Sequence, residues 1–271
     1  MDAKHTRIIA VSSGKGGVGK TFLSLQLAAS LASRGKQVVL FDGDLGLANV
    51  HVLLGLKPEF DLADVVAGRQ ALRDIVLEGP RGLRIVPGAS GQRDIAELDA
   101  AAIAGVLRGF DEVDPVPDYL IIDTGAGIGS QVTTLARLAD VLVVVAQDEP
   151  ASLADAYGLI KVMHLDFNFQ KFEIVINGGN NLRRSETIFQ RLDDVCRKFM
   201  GLPLEMAGAI PYDETVAQAA RQRKLLMDVS EICPAMTAIR QISLRLESLP
   251  LQSESWDFLI DRLKLGKVTA S

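Results

Sequence analysis

The chain has 271 residues, 23% of them charged and 48% apolar, with a formal net charge of −5. That length is ordinary for one α/β domain, and the net negative charge argues against a protein that coats nucleic acid along its whole surface. No apolar run approaches the roughly 20 residues a membrane span needs, so an integral membrane protein is not expected.

In chain order, Met1 to Arg7 runs straight into the first apolar run and leaves no room for a signal peptide. The runs predicted as strands are Ile8–Val11, Val38–Phe41, Leu83–Val86, Tyr119–Ile122, Val141–Ala146, Ile174–Ile176 and Met206–Ile210. Most are continuous rather than alternating, as in strands covered on both faces. Helical patterns separate them, such as Ile103-Val106-Leu107-Phe110 and Leu153-Tyr157-Ile160. This alternation predicts right-handed βαβ units: an α/β fold with a doubly wound, mostly parallel sheet. Residues 1–250 read as one domain and 251–271 as a separate amphipathic tail.

The first strand leads into Gly14-Lys15-Gly16-Gly17-Val18-Gly19-Lys20-Thr21, which fits G-x-x-x-x-G-K-[ST] between a strand and a helix. Its backbone N–H groups and the following helix N-terminus suit phosphate oxygens. Lys20 is placed to reach β- and γ-phosphates, and Thr21 to offer its hydroxyl to Mg²⁺. Lys15 is a second lysine in the same loop; two ammonium groups so close repel unless phosphate charge lies between them or one swings away, and phosphate is its one obvious partner.

After the second strand come Asp42 and Asp44, two carboxylates on the loop's edge of the sheet, able to orient a water or hold Mg²⁺ through its water shell. The stretch from Asp61 to Val76 carries no defensible chemistry, and Pro87-Gly88 suits a loop over the same edge. Asp123 closes the fourth apolar run and is followed by Gly125, Gly127 and Gly129, a metal-holding position followed by a potential switch. Asp148 to Lys161 reads as a turn, a Ser152 cap and an amphipathic helix. Asn177 and Pro211 end the sixth and seventh runs on the ligand edge, with turn chemistry as their rival reading. Arg183, Arg184, Arg191, Arg197 and Lys198 form one basic cluster and Arg221, Arg223 and Lys224 another. Glu186, Asp193 and Asp194 interleave with the first, which favours a solvated helix face over a nucleic-acid site. Cys196 and Cys233 lie far apart without metal-ligand spacing and read as reduced thiols. In the tail, Trp256, Leu259, Ile260 and Leu263 fall on one helical stripe, with Arg262, Lys264 and Lys267 alongside, as in a helix lying in a membrane interface.

The loop K-G-G-V-G-K-T resembles the deviant phosphate loop of the MinD/ParA ATPases (SIMIBI class). The segments Asp123-Thr124-Gly125-Ala126-Gly127-Ile128 and Pro150-Ala151-Ser152-Leu153-Ala154-Asp155-Ala156-Tyr157 resemble the FlhG/FleN branch, which sets flagellar number and placement. The resemblance implies a slow Mg²⁺-dependent ATPase that cycles between ATP and ADP and dimerises with ATP. Lys15 would reach the partner's nucleotide, Asp44 would serve the hydrolytic water, and Asp44 and Asp123 would hold the metal, in part through water. Asn177 and Pro211 would line the adenine, and Phe22 stands where relatives often carry a small polar residue near the α-phosphate. It also implies a cytoplasmic protein with ATP-dependent membrane binding through the tail, and flagellar regulatory or assembly proteins as partners. Another MinD-like positioning ATPase and a ParA-type DNA-partitioning ATPase are the rival branches. The amino terminus lacks the D-Q-A-x-x-L-R motif by which many FlhG proteins stimulate the flagellar GTPase FlhF.

Overall fold

The structure, a computed structural model, describes residues 6–44, 48–89, 100–179 and 181–250. The strands are β1 (Arg7–Ser13), β2 (Val38–Gly43), β3 (Leu77–Glu78), β4 (Arg84–Val86), β5 (Tyr119–Ala126), β6 (Val141–Ala146), β7 (Phe172–Gly179) and β8 (Glu205–Pro211). The helices are α1 (Lys20–Ala32), α2 (Val50–Leu53), α3 (Leu62–Val66), α4 (Leu72–Ile75), α5 (Ala100–Gly109), α6 (Ser130–Ala136), α7 (Pro150–Phe167), α8 (Leu182–Met200), α9 (Glu214–Gln222), α10 (Leu226–Val229) and α11 (Pro234–Ser248). The strands form one sheet in the order β3-β4-β2-β5-β1-β6-β7-β8. Each expected strand is present. The addition is β3, a two-residue antiparallel strand on β4 whose brevity left no periodic signal.

Side chains alternate across a strand, so the continuous apolar runs divide between two cores. Ile8, Ala10, Val39, Phe41, Leu120 and Ile122 face one side, against Leu62, Leu72, Leu107, Leu159 and Ile188 from helices α3, α4, α5, α7 and α8. Ile9, Val11, Val38, Leu40, Ile121 and Val143 face the other, against Leu23, Leu27, Ala219, Leu226 and Ile239 from α1, α9, α10 and α11. This is the doubly wound arrangement expected of strands apolar on both faces.

β1 lies between β5 and β6, with β2 on the far side of β5. The carboxyl ends of β1, β2 and β5 therefore converge at one edge, where the phosphate loop, Asp42 and Asp123 emerge. At the opposite edge Arg7, 1% exposed, donates from its guanidinium to the carbonyls of Leu246, at 2.7 Å, and of Leu249. A buried cation thus satisfies the free carbonyls at the end of α11, the position its helix dipole favours. Among the described residues no helix is long and apolar enough to cross a membrane.

Candidate functional site

The loop between β1 and α1 needs its glycines for two different reasons. Gly17 and Gly19 have φ of 80° and 95°, in the left-handed region that side chains disfavour. Gly14 is needed for space, because a Cβ there would lie 2.1 Å from the backbone carbonyl of Asp155 on α7. Gly16 has nothing within 4 Å of such a Cβ and stands open to solvent. The first intrahelical bond of α1 runs from the Leu23 N–H to Gly19 at 3.0 Å. The N–H groups of Lys20, Thr21 and Phe22 are therefore left for an anion at the helix start. Val18 is buried, and Lys20 is only 7% exposed.

Asn177, at the end of β7, donates its side-chain amide to the Val18 carbonyl at 2.7 Å and so braces the loop. Pro211 ends β8 and lines a cleft of about 420 Å³ with Gly179, Asn181, Ser185 and Pro234. Phe22 packs its ring partly buried against the α1-side core, and its backbone N–H remains the group it can offer a phosphate.

The carboxylates differ more in surroundings than their spacing suggests. Asp42 and Asp123 are register partners on β2 and β5, and both are completely buried. Burial, reinforced by the neighbouring Asp123 charge, pushes Asp42 up to about 7. Its carboxylate accepts from the backbone N–H groups of Asn49 at 2.9 Å, Val50 at 3.0 Å and, weakly, Asp44 at 3.4 Å. Asp42 therefore closes the loop after β2 and caps α2; it is not a spare water-orienting group.

Burial likewise raises Asp123, to about 6, against the hydroxyls of Thr21 and Ser24 and the charge of Lys20. Its Oδ1 accepts from Ser24 Oγ at 2.8 Å, and its buried Oδ2 has no hydrogen-bond partner among the described residues. Asp44 is half-buried, and its carboxylate lies 3.7 Å from where a Cβ on Gly125 would stand. The structure thus brings Asp44, Asp123, Thr21 and Gly125 at the end of β5 to one place. An orphaned carboxylate oxygen beside a threonine hydroxyl, with a second carboxylate near, fits a hard divalent cation that keeps most of its waters.

The segment after β5 is tied to both neighbouring strands. Gly127, with φ of 91°, donates its N–H to Ser13 at 2.9 Å, and Gln131 donates to the Gly43 carbonyl at 3.2 Å. Lys15 does not wait unpaired for a second nucleotide: its ammonium is paired with Glu149, the residue before α7. That corrects the reading in which phosphate is its one evident neighbour. The cap before α7 also differs. Glu149 is the N-cap residue without a side-chain bond, whereas the Ser152 hydroxyl accepts from the Gln147 N–H at 2.9 Å. Arg184 pairs with Asp148 and Arg197 with Asp193, so part of the basic cluster on α8 is neutralised within the chain. Cys196 and Cys233 are both free and buried. Trp256, Leu259, Ile260 and Leu263 lie outside the described residues.

Ser24, Glu149 and Asp155 were not singled out from the sequence. Ser24 had a signal, since a serine on the buried side of an apolar helix, four residues after Lys20, needs a polar partner. Glu149 and Asp155 had none, because their neighbours in the loop are more than 130 residues away in sequence.

A phosphate loop on the carboxyl edge of a doubly wound sheet, a second loop lysine and two aspartates around Thr21 define a nucleotide-binding P-loop ATPase of the MinD/ParA type. The chain belongs to the CobQ/CobB/MinD/ParA nucleotide binding domain family, whose pattern matches residues 9–226. Over its full length it is 39% identical to antiactivator FleN of Pseudomonas aeruginosa, covering 98% of that protein. It is 32% identical to the flagellum site-determining protein YlxH of Helicobacter pylori, over 83% of this chain and 76% of that one. Among solved structures it resembles MinD in the MinC:MinD cell division complex of Aquifex aeolicus, with a TM-score of 0.74 and 25% identity, over 92% of this chain and all of that one. MinD of Pyrococcus horikoshii, solved with Mg-ADP, shares the fold at a TM-score of 0.75 and 23% identity, over 90% of this chain and 97% of that one.

Proposed function

We propose that this chain is an ATP-dependent dimerising switch that regulates flagellar number and placement, with reversible membrane binding through its tail. The observation that carries the reading is Lys15, a second loop lysine held at the mouth of the site by a surface glutamate. The full-length likeness to FleN selects the flagellar branch. ATP and ADP are the nucleotides proposed, and flagellar regulatory or assembly proteins the partners.

In the monomer the loop N–H groups and Lys20 bind the phosphates, and Asn177 and Pro211 border the base. Mg²⁺, when bound, would neutralise charge developing between the β- and γ-phosphates. Thr21 and Asp123 are the residues to hold it, with Asp44 nearby. Asp44, carried next to Gly125 by the loop that Asp42 closes, orients the attacking water. Lys15 leaves Glu149 for the partner's phosphates when two ATP-loaded copies meet. An exposed ion pair is worth roughly 0–1 kcal/mol, so this exchange costs little. Hydrolysis removes the γ-phosphate and the partner lysine's reason to stay.

Sedimentation of Asp44→Ala tests the reading. It is expected to run as a monomer with ADP and a dimer with ATP and Mg²⁺, and Lys15→Ala added to it should weaken that dimer. A monomer under both conditions would overturn the switch.

A further inference from the structure

We infer that Ser24 is a positioning residue for the metal site, holding Asp123 from behind so that its other oxygen faces the cation. Ser24 sits one turn into α1 and is 0% exposed. Its hydroxyl lies 2.8 Å from Asp123 Oδ1 and 3.0 Å from the Lys20 carbonyl. A hydroxyl has one proton, and an ionised carboxylate is the stronger acceptor, so the proton goes to Asp123 while the carbonyl remains its alternative. Asp123 is left with one oxygen bonded and the other, Oδ2, buried without a partner among the described residues.

That asymmetry is what a metal ligand needs. A carboxylate free to rotate inside a dry cleft would offer either oxygen, and would turn toward Lys20 or the loop N–H groups when nucleotide is absent. Ser24 fixes one oxygen to the same helix that carries Lys20 and Thr21. The hydroxyl of Thr21, the ammonium of Lys20 and the free oxygen of Asp123 then move as one body, although Asp123 belongs to β5 and the others to α1. Residues of this kind, bonded to a ligand rather than to the metal, commonly set metal affinity by 10–100-fold. The inference rests on the reading of Asp123 as a Mg²⁺ ligand.

The test is binding of a fluorescent ADP analogue as Mg²⁺ is titrated into EDTA-treated protein. In the wild type Mg²⁺ should tighten the nucleotide, and Asp123→Asn should lose that gain. Ser24→Ala should keep the EDTA affinity within about twofold, yet need roughly tenfold more Mg²⁺ for half the gain. Ser24→Cys, close in size but a weak donor, should shift the same way and covers the case in which alanine unsettles the helix. Ser24→Thr, which keeps the hydroxyl, should restore the wild-type midpoint. A wild-type midpoint in both Ser24→Ala and Ser24→Cys overturns the inference. So does an equal loss with EDTA and with Mg²⁺, which would make Ser24 scaffold alone. A wild type without any Mg²⁺ gain, or Asp123→Asn retaining it, removes the metal reading itself and is told apart from failure at Ser24.

Discussion

Two aspartates two positions apart do different work because one is fully buried and the other is not. Asp44 faces the site and Asp42 faces the loop it closes, so their substitutions should separate. Asp44→Ala is expected to keep nucleotide affinity and lose at least about 10²-fold in hydrolysis, since it removes the group proposed to orient the water and no phosphate contact. Lys20→Ala should lose at least about 30-fold in affinity instead, because a nearly buried phosphate charge is left without its cation. Phosphate release and equilibrium binding on the two variants check both, and equal loss of binding would merge the roles. Asp42 makes a pH prediction. Its folded pKa is raised to about 7 from an ordinary carboxylate value of 3.8, by burial first and by Asp123 second. Between those values the folded chain holds a proton the unfolded chain has released, so this residue lowers stability as pH rises from about 4 to 7. Asp42→Asn removes that slope. Urea unfolding of nucleotide-free protein should show the Asn variant gaining on wild type steadily from pH 5 to 7.5. Parallel curves would mean that the Asp42 charge is compensated by its three N–H partners at every pH.

At the scale of elements, the site is a contact between α7 and a loop on the other side of β1. Gly14 presses on the Asp155 backbone, and Lys15 pairs with Glu149 just before the same helix. Gly14→Ala must push loop and helix apart, since a Cβ 2.1 Å from backbone cannot be relieved by a side-chain rotation. It should lower Tm by several degrees and weaken nucleotide binding, whereas Gly16→Ala, which meets nothing, should change stability by about 0.5 kcal/mol or less. Calorimetry on the pair distinguishes packing from general loop sensitivity. Glu149→Gln frees Lys15 in both copies and should favour the ATP dimer by up to about 30-fold, the most that two exposed pairs of about 1 kcal/mol each can withhold. These contacts also mark where the sequence stopped being informative. The loop, Asp44 and Asp123 could be read because their chemistry is written within a few residues of a strand end. Ser152 could be found but not placed, since a serine near a helix start does not say which N–H it serves. The partners of Lys15, Gly14 and Asp42 follow from how α7 and the β2 loop settle on the sheet, and no spacing along the chain encodes that.

For the whole molecule, the phosphate loop and the last described residues lie at opposite edges of the sheet. The phosphate loop lies at the carboxyl ends of the strands. The last described turn, at Leu249-Pro250, is held at the other edge by the Arg7 guanidinium at the start of β1. In the proposed switch, dimerisation is therefore the signal that links ATP to the segment after Pro250. The stripe Trp256, Leu259, Ile260 and Leu263 could contribute several kcal/mol by burial in the acyl boundary, at ~25 cal/mol per Å² of apolar area. Ordering a helix and losing translational freedom cancel much of that, so one copy should bind weakly. Two copies on one ATP-bound dimer bind the second at high effective concentration, and affinity rises steeply with no change in the stripe itself. Arg262, Lys264 and Lys267 should add a modest preference for anionic lipid, opposed by Asp257 and Asp261. Co-sedimentation with anionic liposomes is expected with ATP and not with ADP, and Leu259→Glu should abolish it while leaving ATPase activity largely intact. If wild type and Leu259→Glu pellet equally with ATP, the stripe belongs to the fold and the membrane role falls.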